Sequence, residues 1–583
     1  MVRRWMALPT ALALCAAWAV VARAADGEPL FHMAILSDRT GGHVPGIYER
    51  VIDEINLLDP DIVVTVGDHI EGYGEDYDRA RAEWDSLLPV IRGLRAPVHM
   101  TPGNHDIWSD DAEVVYVEKT GQQPYYSFDY RGVHFIILDT ARLNASAEVV
   151  GPQREWLEAD LMASAGAART FVFFHKPFWE RTLPAGEPDP LHDLFVRYGV
   201  DAVFNGHYHT TITDRFDGID YVVVGSSGGG MGRDDSVVRG QFYQFGWVSV
   251  RPDGHQIAIV GLGSIHPFGV VSLATRDEIA RIERDQVTVA AVPVFENASV
   301  RAPLVVSIRN DSGEPVDDLL TWTATDGWTV EPTEARVSVA PGGAAECRFT
   351  ATNTGDLYPL PRLSLKYPLS DGRRLDVDVP LRAVRTATAA RFERSPVIDG
   401  AIDEEGWGRA AAVSRLFPPY EETVEGETRV LFGYDDANLY IAADCAEPIM
   451  DALAARVTER DGAVYGEDCV GFFIQPNRDH GTVYQIYWNP VATAFDQRIV
   501  VGGVGGYSAD RAWDGEHEAA VARLGDRWVL EARISMDTLE TSAAPGAVWG
   551  LNFRRKQART GASADWQVPI DYDPSTFGRL VLE

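Results

Sequence analysis

Five stretches of this chain run from apolar, β-prone residues straight into a side chain of the kind that binds metals, and this repetition restricts the fold more than any other feature. They are Ile35-Leu36-Ser37-Asp38, Val63-Val64-Thr65-Val66-Gly67-Asp68, Ala96-Pro97-Val98-His99-Met100 running into Thr101-Pro102-Gly103-Asn104-His105-Asp106, Phe171-Val172-Phe173-Phe174-His175, and Val203-Phe204-Asn205-Gly206-His207-Tyr208-His209. A buried strand that ends in polar atoms presents them at its carboxyl edge, where α/β sheets bind ligands. Any one of these stretches is weak, because asparagine and aspartate are ordinary turn residues. Together they predict an α/β domain whose strand ends share one site.

The intervening segments carry the alternation such a domain needs. Ile47, Val51, Ile52, Ile55 and Leu58 recur at helical spacing, and helices are predicted near Tyr77–Ile91, Gln153–Met162 and Leu191–Tyr198. Tyr125–Tyr130 and Val133–Leu138 form a predicted hairpin about Arg131-Gly132, and short strands flank Asp217-Gly218. Gly225–Gly230 is either a loop bordering the site or a plain turn. The α/β domain is expected over 29–275, with a short charged helix at Thr275–Asp285 as a linker. Beyond it the texture becomes strand and turn throughout. An immunoglobulin-like β-sandwich is predicted over 286–386 and a second all-β sandwich over 392–583, making a multidomain chain.

Residues 1–24 have a basic start, an apolar run from Trp5 to Val21 and an Ala22-Arg23-Ala24 exit, which predicts a cleaved signal peptide and a secreted or periplasmic protein. No later segment is long and apolar enough to span a bilayer. A formal net charge of -34 opposes binding to nucleic acid or to anionic membrane surfaces. Three cysteines, Cys347, Cys445 and Cys469, follow the leader; a Cys445–Cys469 bridge and three buried free thiols both remain open.

Carboxylate, imidazole and amide oxygen together suit a borderline divalent transition ion such as manganese, iron or zinc. A shared aspartate with histidines on both sides suits two such ions, which can hold a hydroxide and polarise a phosphoryl oxygen.

On these motifs, residues 29–270 resemble the calcineurin-like metallophosphoesterase superfamily. The resemblance implies that Asp68 bridges two metals, that Asn104, His175 and His207 complete one, and that Asp38 and His209 serve the other. It further implies that His105 assists the leaving group, that Asp106 orients His105, and that a bridging hydroxide attacks phosphorus in line. The first motif departs from the family, because Thr40 occupies its histidine position. Glu71, His43 and His69 are possible replacements. Glu71 ranks first, since it lies three residues after Asp68, where the purple acid phosphatase branch places a ligating tyrosine. Three carboxylates in one pocket would also repel one another without a cation among them. Arg39 is a candidate for substrate phosphate.

Residues 392–583 resemble a family-nine-like carbohydrate-binding module through Ile398–Asp403 with Trp407, Tyr434–Tyr440, Glu467-Asp468 and Trp549–Phe553. That resemblance implies targeting to polysaccharide, with Trp488, Trp513 and Trp566 as candidates for stacking on sugar. The expected activity is hydrolysis of phosphate mono- or diesters, small or glycan-linked. The alternative is a phosphoesterase fold that has lost catalysis and serves a glycan-binding protein of the cell envelope.

Overall fold

The computed structural model describes residues 29–232, 236–296, 299–419, 423–477, 481–501, 507–568, 570 and 572–583. The expected leader at 1–24 lies outside them. Two compact units are present: the first ends at Arg281 and also takes Arg373–Leu375, and the second comprises Ile282–Gly372 and Asp376–Glu583.

The first unit alternates strand and helix as its hydrophobic periods require. Strands β1 (Phe31–Leu36), β2 (Ile62–Thr65) and β3 (Val98–His99) are separated by helices α1 (Ile47–Leu58) and α2 (Tyr77–Ile91). Tyr48, Val51, Ile52 and Ile55 are the buried stripe of α1, and the Asp76 side chain caps α2 by accepting from the Arg79 N–H. Helix α3 (Asp110–Thr120) then leads to β4 (Tyr126–Tyr130) and β5 (Val133–Ile137). These two strands are joined by Arg131 and Gly132, both at positive φ, which matches the twist of a tight hairpin. The order continues α4 (Gly151–Ala163), β6 (Arg169–Phe173), α5 (Trp179–Ala185), α6 (Pro190–Tyr198), β7 (Ala202–Asn205), β8 (Ile212–Phe216) and β9 (Ile219–Val223). Strands β10 (Gln244–Arg251), β11 (Gly254–Gly261) and β12 (Ser264–Pro267) and helix α7 (Leu273–Arg281) complete it.

The strands make two six-stranded sheets, ordered β12-β11-β10-β1-β2-β3 and β4-β5-β6-β7-β9-β8. Both have mixed directions: β1, β2 and β3 are mutually parallel, as are β5, β6, β7 and β9, with antiparallel partners outside them. One apolar core lies between the sheets, drawing Met33, Ile35 and Val64 from one and Phe135, Phe171 and Phe173 from the other. The outer face of the first sheet packs against α1–α3 through Val51, Trp84 and Tyr116, and that of the second against α4–α6 through Leu157, Trp179 and Phe195. The result is a helix–sheet–sheet–helix sandwich with two parallel sets of strand ends on which to build a site.

The second unit is nearly all strand. Two four-stranded sheets are built from segments between Val287 and Pro380, and the remainder folds around a thirteen-stranded sheet. The boundary expected at 386–392 is crossed by main-chain pairing. Ala383–Arg391 lies inside the C-terminal sheet between Gly578–Leu582 and Thr428–Tyr434, and Val292–Phe295 pairs with it in parallel. Cys347, Cys445 and Cys469 are free thiols, and burial pushes Cys445 and Cys469 up to about 12. Among the described residues no helix is long and apolar enough to cross a membrane.

Phe135 is fully buried between the sheets, with its ring stacked at 4.7 Å on Phe128 and in edge contact at 5.8 Å with Phe171. Phe135→Ala is expected to lower the unfolding free energy of the first unit by about 3–5 kcal/mol, measured by denaturant titration.

Candidate metal centre

The loops that leave the parallel strands converge. Asp38 follows β1, Asp68 follows β2, Asn104 and His105 follow β3, His175 follows β6, and His207 and His209 follow β7. Three of these residues, Asp68, His207 and His209, hold left-handed backbones with φ of 57°, 77° and 52°. Such conformations are costly for residues with a Cβ and persist only where the surroundings enforce them. Enforcement around Asp68 is visible: its Oδ1 accepts from the His105 N–H at 2.9 Å, and a Cβ on Gly103 would lie 2.2 Å from the same oxygen. Gly206 packs equally closely on Asp38, since a Cβ there would come within 2.4 Å of Oδ2.

Asp68, His175 and His207 bring their ligand atoms within 4.8 Å of one another. His175 Nε2 stands 3.1 Å from Asp68 Oδ2 and 3.2 Å from His207 Nδ1. The other ring nitrogen of His175 donates to the Val66 carbonyl at 2.8 Å, which fixes the ring with Nε2 turned inward. Asn104 adds an amide: its Nδ2 donates to the Tyr73 hydroxyl at 2.9 Å, while its Oδ1 is buried without a hydrogen-bond partner. A buried, unsatisfied oxygen on the loop that also gives the His105 N–H to Asp68 fits a divalent ion. On the adjoining side, Asp38 Oδ1 lies 3.6 Å from His209 Nε2 and accepts from the His207 N–H at 2.9 Å. His209 Nδ1 donates to the Gly230 carbonyl. The Asp38 carbonyl takes the N–H groups of Ser227, Gly228 and Gly229, so the glycine-rich loop borders the site.

Charge explains the proton inventory. Burial would pull His175 down, but the Asp68 charge and hydrogen bond outweigh it and raise it to about 9. Burial works against ionised Asp68 too, yet His175 holds it well below the usual carboxylate range. Burial raises Asp38, whereas burial together with the nearby His175 charge takes His207 to about 3. Without a metal, the His175 proton supplies positive charge that a cation would supply in its place.

Several expected roles are not what the structure places. Glu71 is not among the described groups of three or more ligand side chains; its Oε1 instead accepts from the His43 N–H at 3.0 Å. Burial would raise its pKa, but the Thr40 hydroxyl, the His43 and Gly41 N–H groups and His105 together lower it. The glutamate therefore holds the turn after Asp38. Asp106 does not orient His105. Its carboxylate accepts from the N–H groups of Asp68, His69 and Gly103 and pairs with the His69 ring at 2.8 Å. His105 Nδ1 donates to the Glu71 carbonyl at 2.7 Å. His69, closed between Asp106 and Thr65, is a core histidine. Arg39 donates to the His69 carbonyl at 3.3 Å and has a buried Nε, so that edge of its fork is closed to solvent.

Tyr73 and Lys176 join the site although neither is a ligand type in the strand-end motifs. Lys176 directly follows a ligand, which was its signal. It donates to the Leu143 carbonyl at 2.8 Å and lines a cleft of about 320 Å³ that His207 also lines. In the C-terminal sandwich, Trp488 and Trp566 are fully buried and cannot stack on sugar, because the apolar core already covers both faces; Trp513 is partly buried against Tyr484. The carboxylates of Asp461, Asp496 and Asp514 approach one another there, with Arg460 bridging Asp496 at 2.9 Å and Asp514 at 3.1 Å.

Facing sheets whose strand ends gather carboxylate, imidazole and amide oxygen define a metal-dependent hydrolase domain. Residues 32–211 match the family model described as Calcineurin-like phosphoesterase, and residues 398–583 match that described as Carbohydrate family 9 binding domain-like. Serine/threonine-protein phosphatase CPPED1 of Danio rerio is 30% identical over 212 residues, covering 33% of this chain and 68% of its own length. The Bos taurus protein of the same name is 28% identical over 214 residues, covering 33% and 67%. A solved carbohydrate binding module family 9 from Caldicellulosiruptor kristjanssonii in complex with glucose aligns at 21% identity, covering 34% of this chain and 95% of its own with a TM-score of 0.26. The chain belongs to the calcineurin-like phosphoesterase family and is a metallophosphoesterase with a family-nine-like carbohydrate-binding domain.

Two expectations follow from this geometry. A coordinating imidazole must lose its proton, so metal affinity of the metal-free protein should rise about tenfold per pH unit up to about 9 and then level off. Because the His175 value is raised from 6.5, its ion pair stabilises the metal-free fold fully below 6.5 and that contribution is lost as pH rises through about 9. Calorimetry in buffers of different ionisation enthalpy should detect about one proton released per ion. Separately, Tyr73→Phe removes the hydroxyl that orients Asn104 and should weaken metal binding by roughly 10- to 100-fold. Thermal unfolding of the metal-free variant should match wild type, because Tyr73 is 44% exposed.

Proposed function

We propose that this protein is a secreted hydrolase of phosphate mono- or diesters, with two divalent transition ions (manganese, iron or zinc) held at Asp38, Asp68, Asn104, His175, His207 and His209. The observation that carries the reading is the Asp68–His175–His207 cluster, together with an unsatisfied Asn104 oxygen on the loop whose His105 N–H binds Asp68. Ions bound there would supply Lewis acidity and a nucleophilic water.

The chain's own residues do the rest. Asp68, held by the His105 N–H and facing His175, would be the carboxylate shared by the two ions. With Nδ1 committed to the Glu71 carbonyl, His105 keeps Nε2 to hold or move a proton at the leaving-group oxygen. Lys176 contributes a fixed positive charge beside His207. Thr40 leaves Asp38 and His209 as the dedicated ligands on their side, which supports a weaker ion there. The leader expected at 1–24 supports secretion, and the C-terminal domain supports delivery to polysaccharide.

The purified protein should carry bound transition metal and hydrolyse p-nitrophenyl phosphate or its diester analogue. His207→Asn should reduce the rate by at least about 10²-fold with the circular dichroism spectrum unchanged. Absence of both metal and turnover across manganese, iron and zinc, with retained binding to polysaccharide, would instead support the non-catalytic glycan-binding protein.

A further inference from the structure

An ester whose phosphoryl group sits at the metal ligands must place its organic group somewhere, and the cleft lined by His207 offers a space for it. The cleft measures about 320 Å³, at the small end of the roughly 300–1,000 Å³ of ligand sites. His207 and Lys176 line it, so it opens from the site itself. Its volume suits one ring better than a peptide segment or a pair of acyl chains.

The lining combines two chemistries. Phe178 and Tyr208 are half-buried aromatic rings. Both are braced: Phe178 lies near-parallel to Phe174 at 6.2 Å, and the Tyr208 hydroxyl donates to Glu180 at 3.3 Å. Asn144, Arg181 and Glu187, all exposed, also line the cleft. Arg181 is 82% exposed along its side chain, and Glu180 is its ion-pair partner at 3.9 Å. Arg181 and Lys176 only donate, Glu187 only accepts, and Asn144 does both. A ring of hydroxyl groups needs donors and acceptors side by side, plus an apolar face for its C–H bonds. An aliphatic ester would make no use of these polar groups, and a second anion would meet Glu187.

We propose that this cleft is the subsite for the organic part of the ester and selects a sugar ring, so that the substrates are phosphorylated monosaccharide units, free or at the end of a glycan. The proposal rests on the phosphoesterase reading above and deepens it. Phe178 and Tyr208 form the platform, Arg181 and Glu187 reach the hydroxyls, and Lys176 faces the bridge between ring and phosphate.

The metal-loaded full chain can be assayed on a hexose 6-phosphate, a phosphorylated oligosaccharide, hexyl phosphate and p-nitrophenyl phosphate. Wild type should show a higher kcat/KM for the sugar esters than for hexyl phosphate, and comparison of the two sugar esters identifies the free or glycan-linked source. In Arg181→Ala and in Phe178→Ala, the ratio of sugar ester to aryl ester kcat/KM should fall about tenfold, chiefly through KM. Arg181 is exposed, so that variant tests the idea even if Phe178→Ala folds poorly. Preference for hexyl phosphate, or a ratio unmoved in Arg181→Ala, overturns the sugar subsite while aryl ester turnover upholds the phosphoesterase. Failure on every ester, the aryl phosphate included, removes both.

Discussion

Two buried carboxylates set the terms for the first unit. Asp38 and Asp68 are almost wholly removed from water, each raises the cost of ionising the other, and the fold brings them together regardless. Such a pair survives only with positive charge and N–H donors around it. The His207 and His105 main-chain donors, the Ser37 hydroxyl and the His175 imidazolium meet that demand in part. A divalent cation bound there would meet the rest. The left-handed backbones of Asp68, His207 and His209 follow from the same demand, since they turn the chain sharply enough to aim polar groups at one point. The sheets are the rigid frame that lets this turn be held.

The second carboxylate layer is made by the loops. Asp106 and Glu71 look like members of the catalytic set in the sequence, yet each is spent on main-chain N–H groups. Asp106 binds the loop after β2 to the loop after β3, so Asp68 and Asn104 keep their spacing without touching each other. Glu71 holds the turn that follows Asp38, while its own carbonyl sets the His105 ring. One stretch of chain thereby governs both a ligand's approach and a proton's position.

Much of this was legible in the sequence because it depends on period and order. The apolar stripe of α1, the α2 boundaries, the Arg131-Gly132 hairpin and the strand-end ligands all follow from local pattern. What stayed hidden depends on direction. Spacing placed Glu71 near Asp68 but could not tell that its side chain would turn back to His43, because positive-φ glycines at 72 and 74 decide that path. Helix α3 escaped notice because it has little amphipathic contrast; its signal was the Ser109 cap followed by acids in the first turn. Burial of Trp488 and Trp566 is likewise a tertiary fact, since a tryptophan on a strand reads the same whether its face meets core or solvent.

The seam in the second unit bears on how such a chain could arise. Val292–Phe295 leaves the middle sandwich to pair with Ala383–Arg391, and Arg385 is buried there against Glu296 beneath the ring of Trp566. Ala383–Arg391 is an interior strand of the C-terminal sheet. A carbohydrate-binding module cut at its family boundary, residue 398, would lose that strand and expose raw edges on both of its neighbours. Gene shuffling that moves modules like beads would therefore deliver an aggregation-prone piece. In this chain a cut that keeps Ala383–Arg391 with the C-terminal sheet must carry its linker to the middle sandwich along, in the manner of a graft whose tissues have grown across the cut.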